Sequence, residues 1–297
     1  HVAAPPGHID VTGSRECYPA GRVITHCFIP QPTPPEGSPG HWTSVAGVTI
    51  YRDELFGSEF TGNLFVEDSV YNVIHRMILT PQGTTFRGER AVDEQQSEFL
   101  ASADPWFRPA TLQTGPDGAL WVADMHRFVI EHPEWIVPEL TAKLELRRHS
   151  DRGRIYRIYP VDKKPRPIPR LDKLDTAGLV AALDHPNGWQ RDMAQQMLLW
   201  RADNSAVPLL ETMVQKSQRP AARLHALCTL DGLGALRPET VIRGLADEHP
   251  GVRRHAVRLS EPLLDANEPL CEALLKLADD ADPQVQLQLR YSLGEWH

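Results

Sequence analysis

The 297-residue sequence has few cysteines and lacks the motifs in which cysteine carries chemistry. Its four cysteines are too few for a disulfide-built scaffold. No pair has the CxxC or CxxCH spacing of a zinc ribbon, a thioredoxin-like site or a c-type haem. Cys17 and Cys27 lie ten residues apart in a Pro-rich stretch. In an oxidising compartment they can form a local disulfide, and the alternative is a pair of unbridged thiols.

Long apolar runs and an excess of basic residues are also missing. No run approaches the roughly 18 apolar residues that span a bilayer, so the sequence predicts no membrane segment. The net charge is −8, with −6 on residues 1–160 and −2 on residues 161–297. Neither part carries the basic excess that a nucleic-acid partner requires. The turn GPDG lacks the carboxylate run of an EF-hand, and no metal-ligand spacing is present, so we expect no bound metal.

The sequence does contain an approximate internal repeat of about 15 residues, which we call the repeated phrase. GNLFVEDSVYNVIHR begins at residue 62 and GALWVADMHRFVIEH at residue 118, an offset of 56 residues. Each copy predicts one antiparallel sheet of about four short strands separated by turns. Sheets repeated every ~40–50 residues are typical of a β-propeller, and the larger offset fits one blade plus an insertion. The predicted strands are GVTIY, GNLFVED, NVIHRMIL, TTFRGE, PATLQTG, ALWVADM and GRIYRIYP, and the insertion carries the predicted short helix PELTAKLEL.

Composition divides the chain into four predicted parts. Residues 1–43 are an irregular Pro-rich connection, because proline fixes φ and removes a hydrogen-bond donor. Residues 44–160 predict the last two blades of a β-propeller, whose other blades we expect upstream in a longer polypeptide. Residues 161–173 are a stiff Pro-rich linker. Residues 174–297 predict a truncated α-solenoid of HEAT-like repeats. The predicted fold class is therefore multidomain, a partial propeller followed by a solenoid.

Helical periodicity supports the last assignment. Four segments open after turns marked by proline, at positions 186, 220, 250 and 283. At positions 186, 250 and 283 an acidic residue shortly before the proline is expected to cap the helix, and proline fits the first turn, where no donor is needed. Apolar residues at three- and four-residue spacing predict eight helical segments: LVAALDHP, WQRDMAQQMLLW, AVPLLETMVQ, PAARLHALCTL, ETVIRGLAD, VRRHAVRLS, LCEALLKLADD and VQLQLRYSL.

Polar residues follow the hydrophobic strand of each repeat copy. One nine-residue loop runs from Asp124 to His132, and a cluster of arginines precedes the closing strand. Carboxylate, imidazole and guanidinium groups together can bind a polar substrate, hold a metal or run acid–base chemistry. For the two equivalent aspartates the alternative is structural, with each carboxylate binding turn amides. The predicted channel-facing residues are Asp68, His75, Asp124, Arg127, Glu131, His132 and Arg154, and no catalytic residue is assigned among them.

Three runs carry a resemblance to a known family: TSVAGVTIYRDELFGSEFTGNLFVEDSVYNVIHRMILTPQG, EFLASADPWFRPATLQTGPDGALWVADMHRFVIEHPEWI and DRGRIYRIYP. They resemble the end of the propeller in the planctomycete-type membrane-bound dehydrogenases, over roughly residues 43–297. The resemblance implies a periplasmic or secreted propeller related to quinone-dependent sugar dehydrogenases, then HEAT-like repeats and usually a c-type cytochrome domain. It implies an oxidoreductase of sugars or related alcohols. Pyrroloquinoline quinone and c-type haem would belong to the longer protein, and no cofactor to this chain.

A function of another class fits the same architecture. Propeller and solenoid are then non-catalytic binding modules for polysaccharide or protein partners, since a fold does not imply catalysis. In either case we expect a sugar or a polysaccharide-derived small molecule as ligand, and the solenoid suits a protein partner.

Overall fold

The structure is a computed structural model that combines antiparallel sheets with helices. It describes residues 16–20, 40–42, 44–130, 134, 136, 138–143 and 145–295. Cys27, Glu131 and His132 lie outside the described residues. The chain divides into two compact units, His1–Thr80 with Phe86–Arg166, and Pro81–Thr85 with Pro167–His297. The sheets belong to the first unit, and about eight helices belong to the second.

The strands of the first unit are short and coincide with the predicted runs. The structure also extends one strand through the predicted TPQG turn, because the chain reverses only at Gly83, whose φ of +58° suits glycine. The strand bounds are β1 (Glu16–Cys17), β2 (Gly40–His41), β3 (Val45–Ile50), β4 (Leu64–Asp68), β5 (Val73–Gln82), β6 (Thr85–Arg90), β7 (Leu100–Ala101), β8 (Pro109–Thr114), β9 (Leu120–Asp124) and β10 (Arg154–Ile158).

The two copies of the repeated phrase occupy equivalent places in separate sheets. Strands β3, β4, β5 and β6 form an antiparallel sheet in consecutive order, with β7 paired to the start of β5. Strands β8, β9 and β10 form a second sheet, also in consecutive order. The repeated phrase thus supplies the second strand of each sheet, β4 in one and β9 in the other. Strands β1 and β2 pair only with each other among the described strands.

A shared apolar core joins the two sheets. A strand alternates its side chains between two faces, so each sheet needs another layer to cover its apolar face. Phe65 and Ile74 of the first sheet pack in one cluster with Leu112, Leu120 and Val122 of the second. Strand β8 lies against β3 and β4. This packing fixes the ends of β4 and β9 side by side.

The insertion after β9 is less helical than predicted. Its helix α1 covers only Pro138–Thr141, whereas PELTAKLEL predicted more than two turns. The following residues form successive turns, in which Arg148 N, Ser150 N and Arg152 N each donate to the carbonyl three residues earlier. His149 adopts a φ of +62° between these turns, which is incompatible with a continuing α-helix.

Part of the predicted N-terminal connection is packed against the first sheet. Cys17 is fully buried in a cluster with Val70, Tyr71 and Val73. The prediction of an irregular connection is therefore incomplete at Glu16–Cys17 and Gly40–His41, where the short pair β1–β2 forms. The proposed partner of Cys17 in a disulfide, Cys27, lies outside the described residues, so the bridge stays a prediction.

The second unit contains all eight helices that periodicity predicted. No helix in the described part of the chain combines the length and apolar character needed to cross a bilayer. The helix bounds are α2 (Thr176–Ala182), α3 (Gly188–Arg201), α4 (Val207–Lys216), α5 (Pro220–Gly232), α6 (Pro238–Leu245), α7 (Pro250–Ser260), α8 (Glu268–Leu275) and α9 (Pro283–Gly294).

The predicted acidic cap is right for α9 but wrong for α3 and α7. Asp282 accepts from two backbone amides of α9, whereas Asn187 caps α3 and His249 caps α7. The acidic residues before α7 and α9 have another partner, an arginine of the preceding Pro-marked helix. Arg223 of α5 binds Asp247 through two nitrogens at 2.6 and 2.7 Å. Arg253 of α7 binds Asp280 in the same way, at 2.7 and 2.8 Å.

Replacing Arg223 with lysine is expected to destabilise the second unit by about 1–2 kcal/mol, because a lysine cannot form the paired guanidinium–carboxylate bonds. Arg223 also donates to Ser217 O at 2.8 Å, and its side chain is buried beside Asp247. Chemical denaturation followed by circular dichroism at 222 nm measures the change. Arg237→Lys is the matched control, since Arg237 is exposed and pairs with Glu211 at the surface. Equal losses in both variants would contradict the prediction.

Candidate functional site

Asp68 and Asp124 perform the same structural task in the two sheets. Asp68 accepts from Val70 N and Tyr71 N in the turn after β4, at 2.9 and 3.0 Å, and from Ser44 N before β3, at 3.0 Å. Asp124 accepts from His126 N after β9, and from Arg108 N before β8, both at 2.7 Å. Each carboxylate ties the end of one strand to the start of its neighbour. These bonds favour the structural alternative for both aspartates.

Arg108 lies buried between these two aspartates and connects the two sheets. Its Nη1 donates to Ser69 O at 2.8 Å, and reaches Val70 O and Asn72 Oδ1 at 3.2 and 3.3 Å. Its Nε and Nη2 donate to the carbonyls of residues 127 and 128, both at 3.0 Å. Burial lowers the pKa of this guanidinium, and the two nearby carboxylates act against that effect. Because its donors are used on backbone, Arg108 holds the loops rather than a ligand.

His75 is separated from the other predicted site residues. It pairs with Val66 across the sheet, which places it on the face opposite Ile74. Its Nδ1 donates to Glu98 Oε2 at 2.7 Å, and Arg90 binds the other carboxylate oxygen at 2.7 Å. Trp42 packs on the imidazole, with ring centroids 5.0 Å apart. The prediction that His75 faces a common site with Asp124 is not supported by this burial.

Four rings gather where β9 ends, and we call them the stacking cluster: Trp106, His126, Phe128 and His149. The imidazoles of His126 and His149 stack with centroids 5.0 Å apart and planes 15° apart. Trp106 lies 4.6 Å from His149, 5.5 Å from His126 and 5.4 Å from Phe128. Loops after β7 and β9 and the insertion supply these rings, so tertiary folding alone assembles the cluster.

The two histidines of the stacking cluster combine backbone strain with unsatisfied polar atoms. Their φ angles are +50° for His126 and +62° for His149, a region that few non-glycine residues occupy. The side chain of His126 is 8% exposed, and Asp124 Oδ2, at 3.9 Å, is beyond hydrogen-bond distance of its Nδ1. Within the described residues, neither Nδ1 has a hydrogen-bond partner. Backbone strain and buried polar atoms without hydrogen-bond partners concentrate at functional sites, where a bound ligand can supply the missing partner.

Arginines surround the stacking cluster. Arg127 donates from Nη2 to Ser150 O at 2.9 Å, while its buried Nη1 has no partner in the described part of the chain. The guanidinium of Arg148 lies 5.6 Å from the centre of the Trp106 ring. Arg154 is exposed and pairs with Asp124 in the β10–β9 register. Burial first, and then the charges of Arg152, His126, Arg148 and Arg154, lower the pKa of His149. His149 therefore lies in a positive field.

A cavity of about 460 Å³ lies beside the stacking cluster. Its lining comprises residues 100–104, Phe107, Val122 and the β10 residues 156–158. Asp104 accepts from Trp106 N at 2.9 Å, so one short turn directs Trp106 into the cluster and Phe107 into the cavity lining. The volume is in the range of small-molecule sites and exceeds that of one sugar ring.

A second anomaly, outside the cluster, is the carboxylate of Glu67. This side chain is fully buried in β4, and neither oxygen has a hydrogen-bond partner among the described residues. Burial raises its pKa to about 7. The carboxylate lies over Gly47, where any Cβ would overlap it, and Gly47 has a φ of +59° at an irregularity in β3. The second repeat copy has Ala123 at the equivalent position, so the buried acid is specific to the first sheet.

The structure brings together only part of the predicted site. Asp124, Arg127 and Arg154 lie at the end of the second sheet, and Asp68 lies across Arg108 from them, while Glu131 and His132 are outside the described residues. Among the residues that the structure describes, no group of three or more metal-ligating side chains is found. Sequence reasoning missed Arg108, Glu67 and the pairing of His126 with His149. The only sequence signal for the last was the density of aromatic and basic residues around both histidines.

Comparison with known families gives one result. A sequence profile described as a domain of unknown function, DUF7133, matches residues 4–162, which is more than half of the chain. No curated protein matches the sequence.

Proposed function

The chain belongs to the DUF7133 family, and from that premise we propose that its first unit binds a sugar or a related alcohol at the stacking cluster. The observation that carries this proposal is the pair of stacked imidazoles with unpartnered Nδ1 atoms beside Trp106. The exposed part of an aromatic ring packs on the C–H face of a sugar. Each imidazole Nδ1 can donate to or accept from a hydroxyl group, depending on its tautomer. A polyhydroxylated ligand satisfies both requirements at once.

The proposed architecture around this site is a β-propeller followed by a solenoid of HEAT-like repeats. Support for the first part comes from two consecutive antiparallel sheets, offset by one repeat and tied by equivalent aspartates. Support for the second comes from Pro-marked helices whose arginines, Arg223 and Arg253, each bind the acidic residue before the next such helix. In a propeller, the loops at one end of the sheets form the ligand site, and the stacking cluster lies on such loops.

The proposed role of the longer protein is that of a periplasmic or secreted oxidoreductase of sugars or related alcohols. This role comes from the resemblance to the planctomycete-type membrane-bound dehydrogenases. A c-type haem does not fit this chain, because none of its cysteines stands in a CxxCH motif. Pyrroloquinoline quinone, which carries three carboxylates, does not fit the cavity, whose one lining arginine, Arg157, is paired with Asp117 at 3.0 Å. Both cofactors would belong to other parts of the longer protein.

Recognition without catalysis is the second candidate function. The observation that favours it is the use of Asp68 and Asp124 to bind backbone amides, and of His75 to bind Glu98. Each of these groups uses at least one polar atom to hold the fold, which favours a structural role. Polysaccharide or protein partners would then replace a small substrate.

Replacing His126 or Trp106 with alanine is expected to weaken sugar binding at least tenfold, because each removes a ring or a hydrogen-bonding nitrogen that the ligand contacts. Titration calorimetry on the full chain, with a panel of aldoses and sugar alcohols, measures this. Arg87→Ala is the control, since Arg87 is exposed and pairs only with Glu89 in the described residues. The proposal is contradicted if the unaltered protein binds none of these sugars. It is also contradicted if both variants bind them as tightly as the unaltered protein does. Dye reduction by the longer protein with the same sugars separates oxidoreductase from binding module.

A further inference from the structure

The charges of residues 147–154, beside the stacking cluster, are unbalanced. The turns at 147–154 carry Arg147, Arg148, Arg152 and Arg154 with a single acidic residue, Asp151. Arg148 has Glu145 as its one ion-pair partner in the described residues, at 3.9 Å with both side chains exposed, which is a weak pair. The fixed geometry of these turns, held by bonds to the carbonyls of residues 145, 147 and 149, presents the arginines on one loop.

Three buried nitrogens at the stacking cluster lack hydrogen-bond partners within the described part of the chain. They are Nδ1 of His126, Nδ1 of His149 and Nη1 of Arg127. A guanidinium nitrogen can only donate, so an acceptor on a ligand or a water molecule would satisfy Nη1 of Arg127. An anionic oxygen is the acceptor that a guanidinium binds most strongly. The neighbouring arginines add attraction for the same charge.

We infer that the ligand of the stacking cluster is an acidic sugar, whose carboxylate or sulfate is bound by Arg127 with Arg148 and Arg154. The inference rests on the proposed function, which assigns the sugar ring to Trp106 and the two histidines. Nδ1 of His149 has no partner among the described residues and can bind a hydroxyl group of the sugar. The arginines thereby select the ligand by charge, and the rings select it by shape.

Titration of the full chain with four probes tests this inference: D-glucose, D-glucuronate, glucose 6-sulfate and sodium sulfate. We expect at least one acidic sugar to bind at least tenfold more tightly than glucose, as charge-assisted hydrogen bonds contribute about twice as much as neutral ones. The preference should weaken as sodium chloride is raised, because salt screens exposed charges. Arg127→Gln and Arg154→Gln should each reduce the preference for the acidic sugar over glucose at least fivefold. Arg87→Gln is the control, because Arg87 is exposed and is not part of the stacking cluster. It should change neither the preference for the acidic sugar nor the affinity for glucose.

The outcomes are distinct. Equal affinity for acidic and neutral sugars overturns the inference while the proposed function stands. Failure of every sugar to bind overturns both. Sodium sulfate binding as tightly as the acidic sugars overturns the inference, because the sugar ring would then contribute nothing. A preference that survives in both Arg127→Gln and Arg154→Gln also overturns the assignment of these residues. The second variant guards against misfolding in the first, since Arg154 is exposed.

Discussion

Replacing Arg108 with methionine is expected to destabilise the first unit by about 3–5 kcal/mol, the range seen when one partner of a buried charged network is removed. Arg108 is 3% exposed and donates to backbone carbonyls at the ends of both sheets. Methionine fills a similar volume but leaves those buried carbonyls without donors, and each such loss costs about 1–3 kcal/mol. Hydrogen exchange of the amides in β4 and β9 measures the change locally, which a two-unit protein requires.

Arg87→Met is the matched control for this experiment. Arg87 is exposed and its pair with Glu89 lies at the surface, so its loss should cost less than about 0.5 kcal/mol. Faster exchange should appear in β4, β8 and β9 of the Arg108 variant and not in the helices of the second unit. Exchange rates that match those of the control would show that Arg108 does not hold the two sheets.

Replacing Glu67 with glutamine is expected to stabilise the protein increasingly as pH rises. Burial raises the pKa of Glu67 from 4.5 to about 7, so the folded state binds more protons than the unfolded state between these values. Stability is therefore fully present at low pH and is lost as pH rises toward 7. The advantage of the glutamine variant should grow by about 3 kcal/mol between about pH 4.5 and pH 8.

Denaturant midpoints of the two proteins across this pH range measure the effect, because their difference cancels titrations common to both. Glu59→Gln serves as control, since Glu59 is exposed in the loop before β4 and its substitution should give a small and flat difference. A difference for Glu67→Gln that does not rise with pH would show that its carboxylate finds a partner in solution. Such a partner would have to reach it across β3, over Gly47.

Local patterns predicted the secondary structure well and its long-range pairings poorly. The eight helices and the seven predicted strands follow from periodicity and turn residues, which are read within a few positions. The pairing of β7 with β5 and the short β1–β2 pair were missed, because two-residue strands carry no alternation. The short α1 differs from prediction because turns around His149 override the helical propensity of the residues before it.

The site was predictable only where its residues are neighbours in sequence. The loop after Asp124 drew attention to His126 and Arg127, but His149 is 23 residues beyond His126, and no spacing rule connects them. Arg108 reads as an ordinary basic residue until its burial is known. His75 lies on the face away from Ile74, a placement that alternation along β5 could have predicted. The partner of a side chain across a sheet depends on register, which the repeated phrase alone does not give.

Strand β10 imposes one more constraint on this protein. Among the described strands it pairs with β9 alone, and Ile155 and Tyr156 are exposed along it. An edge strand of this kind can pair with a strand of another chain, and charged side chains on the edge oppose such association. Arg154 and Arg157 stand on that edge. Under the proposed function, Arg154 contributes both to ligand selection and to solubility, so replacing it with an apolar residue is expected to weaken both.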